Sequence, residues 1–175
     1  GQATEASPGG NGSGGAKRRI SENISLEPGM KPVKEWHNAG NLSPATALES
    51  LLFAKETKDY DSEAKLVVLD DEARAAVLVL LANLPVQDDY RNLTPEKYVA
   101  MEFVDVLPRQ IGMRITAEDS GKADSVSLTV RWQRSENEIR ENRFPFAHDP
   151  SGWRLAVSYP LLKHIIIEAV HVPGS

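Results

Sequence analysis

A chain of 175 residues with 41% hydrophobic side chains is long enough to bury one core and short for two domains. Its formal net charge of −5 and pI near 5.4 argue against a general nucleic-acid or anionic-membrane surface, because phosphate binding needs a clustered positive field. Without cysteine there is no disulfide framework, thiol nucleophile or Cys-based zinc site, and no apolar run reaches the roughly 18 residues of a spanning helix.

Residues 1–29 hold half of the 12 glycines before residue 16, with Pro, Ser and Asn and almost no apolar side chains. Such a segment cannot bury enough surface to offset its ordering entropy, so it reads as a disordered Gly/Ser-rich linker ahead of a single domain over 30–172. Its removal is expected to leave the melting temperature unchanged. The only basic cluster, Lys17-Arg18-Arg19, lies in this linker. The start at Gly1 without Met fits export or membrane anchoring through a removed upstream segment, while the lack of cysteine leaves the compartment open.

Order is expected from Val33-Lys34-Glu35-Trp36 onward. Ser43-Pro44 opens a helix, with Ser as N-cap and Pro where its missing N–H costs nothing, and Leu48, Leu51 and Leu52 mark the inward side. A short helix follows around Ser62 to Val68. Asp70 or Asp71 then caps a second long helix with the stripe Ala73, Ala76, Val77, Leu80, Leu81 and Leu84, which Pro85 stops. Thr94-Pro95-Glu96 opens a third helix, whose Tyr98, Met101 and Phe103 are expected to meet a sheet.

From Arg109 to Val157 the period changes to two, which predicts an antiparallel sheet of about four strands. Ile111, Met113, Ile115 and Ala117 share one face of the first strand. Val126, Leu128, Val130 and Trp132 alternate with Ser127, Thr129 and Arg131 in the second. The third, Glu138 to Phe146, puts Arg140 and Asn142 on the parity of Phe144 and Phe146. After Asp149-Pro150-Ser151-Gly152, the inward residues of a closing strand are Trp153, Leu155 and Val157, and an apolar helix begins at Ser158-Tyr159-Pro160. The fold class is α+β, with N-terminal helices on a strongly bent antiparallel sheet and a C-terminal helix.

The lead-in Asn38-Ala39-Gly40-Asn41-Leu42-Ser43-Pro44-Ala45-Thr46-Ala47-Leu48-Glu49 and the strand Gly152-Trp153-Arg154-Leu155-Ala156-Val157 resemble segments of the nuclear transport factor 2-like (cystatin-like) superfamily, in its uncharacterised bacterial branch. The resemblance covers about Val33 to Val170 and implies a bent sheet wrapped around helices as a cone. Ser43-Pro44-Ala45 departs from the usual Thr-Pro-Glu. Enzymes of that superfamily use Asp, Tyr or His inside the cone, and no position here matches those sets, so no catalytic residue is carried over.

The four histidines, His37, His148, His164 and His171, lie in remote segments and predict no metal site, and no cofactor is expected. Acids at Asp59, Asp61, Asp70, Asp71, Asp88 and Asp89 sit beside helix starts and turns, which suits capping and solvation better than proton sharing. If Arg140 and Asn142 face the helices, a guanidinium and an amide stand at the mouth of a pocket with Tyr98, Phe144 and Trp153, placed to hold an anion. If a bulge at Pro145 flips the parity, Arg140 lies in solvent. The expected function is a non-catalytic binding module for a small molecule or a protein partner, with neither nucleic acid nor a membrane span. Its rivals are a lyase or isomerase with an acid–base residue in the cone, and an oligomerisation domain of a larger protein. A homodimer through the outer face at Ser127, Thr129 and Arg131 is expected alongside a solvated face as the alternative.

Overall fold

The helices begin where a side-chain oxygen meets the free amides of a first turn. The computed structural model describes residues 25–106 and 109–170, with the side chains of 103–106 and 165–170 left undescribed. Ser43 Oγ accepts from Thr46 N at 3.1 Å while Ser43 N donates to Thr46 Oγ1 at 3.1 Å, so a threonine closes the capping box that starts α1 (Pro44–Glu56). Asp59 caps α2 (Tyr60–Lys65) through Ser62 N at 3.2 Å. Asp70 caps α3 (Asp71–Ala82) through Ala73 N at 2.7 Å. Thr94 accepts from Lys97 N at 3.2 Å ahead of α4 (Pro95–Val106), and Ser158 accepts from Leu161 N at 3.3 Å ahead of α5 (Tyr159–Val170).

The sheet has six strands: β1 (Lys31–Pro32), β2 (Val67–Leu69), β3 (Gly112–Ser120), β4 (Ser125–Ser135), β5 (Glu138–Asp149) and β6 (Gly152–Val157), in the order β1-β3-β4-β5-β6-β2. Strands β3 to β6 are the expected antiparallel meander. The count of four and the purely antiparallel pairing are corrected, since β1 adds antiparallel to β3 and β2 adds parallel to β6. Two or three residues are too few to display alternation. β2 forms because its groups complete the edge of β6, with Leu155 N donating to Leu66 O at 2.8 Å and Val67 and Leu69 buried beneath the helices.

Local irregularity decides parity on β3. A bulge between Ile115 and Ala117 sets Ile115 opposite Val130 on the inner face and Ala117 opposite Thr129 on the outer one, so Ala117 leaves the face it was expected to share. Pairing of β4 with β5 runs unbroken through Pro145, which sits opposite Ser127. Leu128, Val130, Phe146, Leu155 and Val157 form the sheet's side of the core against Leu48 and Leu51 of α1, Val77 of α3 and Val99 of α4. On α4 Pro95, Val99 and Ala100 are buried, while Tyr98 and Met101 are half-buried and Phe103 lies outside the described side chains. On α3 the buried side is Ala73, Val77 and Leu81, and Leu80 is 39% exposed. No helix among the described residues is long and apolar enough to cross a membrane.

Residues 1–24 of the expected linker lie outside the described residues, as do 171–172 of the expected domain. Residues 25–29 are tied to the outer face of β3 and β4. Glu27 accepts from Arg131 Nε at 2.7 Å and Nη2 at 2.8 Å, with Arg114 Nη2 at 3.4 Å. Gln133, only 1% exposed, accepts from Glu27 N at 2.7 Å and donates to Ser25 O at 2.8 Å. Cutting the chain at residue 30 strips both partners from a buried amide, so that truncation is expected to lower the melting temperature.

The Arg131 hydrogen bonds, and those of Arg114 after them, hold the Glu27 carboxyl below its ordinary pKa. A depressed folded-state pKa stabilises the fold above the unfolded pKa and loses that contribution as pH falls through the folded value. Denaturation of Glu27→Gln beside the parent should therefore show a stability gap that is constant near neutral pH and closes in acid. A gap that persists unchanged at pH 3 would remove Glu27 from the account.

Candidate functional site

The two segments that carry the family resemblance meet in space. Ser50, buried on α1, accepts from Ala39 N and donates to Gly40 O, both at 2.8 Å, which fixes the lead-in against the helix. Asn41 then reaches the β5–β6 turn: its Nδ2 donates to Ser151 O at 2.7 Å, and its carbonyl accepts from Trp153 N at 2.9 Å. Gly152, at φ +97°, lets the turn come this close. A Cβ there would stand 2.6 Å from Asn41 Nδ2 and 2.9 Å from Asn41 O.

Beside this clasp lies a half-open cavity of about 580 Å³. Asn38, Gly40, Asn41 and Ser151 form one wall, and Asp59, Ser62 and Lys65 of the α2 region another. Phe53, Ala54 and Leu66 give it an apolar side, and Arg154 closes it from β6. The two carboxylates nearby are committed. Asp59 accepts Ser62 Oγ at 2.6 Å as well as Ser62 N, and those bonds, the hydroxyl's first, lower its pKa. Asp149 pairs with Arg154 and accepts from Ser151 N at 2.8 Å, with Arg154 the main cause of its lowered pKa. Both acids are ionised at neutral pH, with their oxygens directed into the turn and the helix cap.

No protein-family model matches the chain, and the search of curated proteins found no match. Among solved structures the chain is similar to the SEC-C motif containing protein RPA3114 of Rhodopseudomonas palustris, at 16% identity and a TM-score of 0.39, over 67% of this chain and 78% of that one. The chemistry of the site is read from its own residues.

None of the five pocket residues expected from sequence lines this cavity. Arg140 and Asn142 do share the inner parity of Phe144 and Phe146, being paired opposite Trp132 and Val130. They are nonetheless exposed, although Trp132 and Val130 opposite them are buried; the Arg140 side chain is 72% accessible and lies 3.6 Å from Glu138. Phe144 is half-buried, edge-on to Trp132 at 5.6 Å. Trp153 is half-buried against the His148 ring at 5.0 Å, and Tyr98 is half-buried on α4, with burial raising its pKa.

Sequence reasoning missed Lys65, Arg154 and Ser62. Arg154 stood inside the quoted strand motif, but its outward parity disguised it. Glu49 was missed too: it is buried on α1 and receives Lys31 and, at 3.1 Å, His37 Nδ1. Among the described residues no group of three or more His, Cys, Asp or Glu is placed to hold a metal ion.

Proposed function

We propose that this chain is a binding module of the nuclear transport factor 2-like type whose small-molecule site is the cavity between α1, α2 and the β5–β6 turn. The observation that carries the reading is a concavity of ligand size, about 580 Å³, walled by the two segments that resemble that superfamily. Element order is compatible with that reading: most helices precede a four-strand meander, to which β1 and β2 add at the two edges. Binding is favoured over catalysis because Asp59 and Asp149 have lowered pKa values and engaged oxygens, whereas a general acid or base works best with a pKa near the operating pH.

Titration of a fragment library followed by amide NMR tests this. Hits are expected to shift Asn38 to Asn41, Phe53, Leu66 and Ser151 together, and Ser62→Phe, which projects a ring into the cavity from α2, is expected to abolish those shifts. Shifts that persist in Ser62→Phe but vanish in Arg140→Leu would return the site to the far end of β5.

A further inference from the structure

We propose that this cavity selects a small organic anion, a carboxylate on a short apolar body, with Lys65 as its charge partner. The proposal rests on the cavity being the ligand site and adds the sign and class of the ligand. Three charged side chains line it: Asp59, Lys65 and Arg154. Asp59 accepts from Ser62 N and Ser62 Oγ at the start of α2, and the Lys65 charge acts on it. Arg154 is held by Asp149, which is not part of the lining. Lys65 is exposed on the last turn of α2 and makes no ion pair among the described residues.

The two side-chain amides of the lining differ: Asn41 uses its Nδ2 on Ser151 O and so presents an acceptor, and Asn38 does the reverse. Asn38 uses its Oδ1 to accept from Gly40 N at 3.2 Å, which leaves its amide NH2 as a donor at the wall. A cationic ligand would meet Lys65 and Arg154 with like charge, against the single lining carboxylate of Asp59, which already accepts two hydrogen bonds. A carboxylate would gain a charge-assisted bond from the ammonium while its carbon chain covered Phe53, Ala54 and Leu66.

Three probes of one shape decide the matter: hexanoate, hexan-1-ol and hexylamine, titrated into the full chain at neutral pH and low salt and read at the amides of Asn38 to Asn41, Phe53 and Leu66. Hexanoate is expected to bind about tenfold more tightly than hexan-1-ol, and hexylamine more weakly than either. Lys65→Met should remove the preference for hexanoate, and Lys65→Arg should keep it. Because residue 65 is exposed, both variants are expected to fold. Equal affinities for hexanoate and hexan-1-ol, or a preference that survives in Lys65→Met, would overturn the anion proposal and leave the cavity as a ligand site. No shift at those amides with any of the three would overturn the ligand site itself, and the anion proposal with it.

Discussion

Gly152→Ala is expected to lower stability by about 3 kcal/mol and the melting temperature by about 10 °C. Two independent costs combine. The backbone sits at φ +97°, which an alanine reaches only with strain of roughly 1–2 kcal/mol. The added Cβ also meets Asn41, at 2.6 Å from its amide nitrogen and 2.9 Å from its carbonyl oxygen. The amide can rotate away at the loss of its bond to Ser151, about 1 kcal/mol, but the carbonyl can retreat only by releasing Trp153 N as well. Asn41→Ala in the Gly152→Ala background should therefore restore only part of the loss. A melting temperature within 2 °C of the parent, measured by differential scanning calorimetry, would show that the turn relaxes freely and that the clasp is not rigid.

The second large effect is an order among aromatic truncations. Phe146 is 1% exposed on β5, and Phe146→Ala should cost about 3–5 kcal/mol through lost transfer energy and the cavity left behind. Trp36→Ala should approach that value, because Trp36 is 6% exposed within the core and its indole N–H donates to Lys31 O at 3.2 Å. Trp153→Ala should cost roughly half as much, since that ring is only half-buried and leaves a face open to collapse. Strand parity marks Trp153 as inward, but the structure buries Trp36 more deeply. Guanidinium midpoints of the three variants decide it, and a Trp153→Ala midpoint below that of Trp36→Ala would show that Trp153 is the more deeply packed ring.

The tryptophans illustrate what a one-dimensional pattern records. Parity told correctly that Trp153, Leu155 and Val157 point to one side, and the structure buries Leu155 and Val157. It carried no information on where along the strand the helices stop. Arg140 shares a face with Phe146 and lies opposite the buried Trp132, yet its own side chain is 72% accessible. Depth along a strand is a tertiary quantity.

What the sequence determined by itself is what rests on neighbours a few residues apart. Ser43-Pro44, Asp70 and Thr94-Pro95 place helix starts because a cap satisfies amides two or three residues downstream, and the strict alternation from Val126 to Trp132 sets the inner face of β4 because successive side chains must oppose. Only the tertiary structure decided the rest. The short strand β2 exists through its parallel edge to β6, and the bulge after Ile115 turns Ala117 outward. Glu27 is ordered by Arg131, whose side chain is 104 residues away in sequence. The candidate site belongs to this second class: Asn41 and Ser151 are 110 residues apart, and neither carries a local signal of the other. Their meeting depends on the lead-in being held by Ser50 and on a glycine at 152 that leaves room for contact, conditions that only the folded chain brings together.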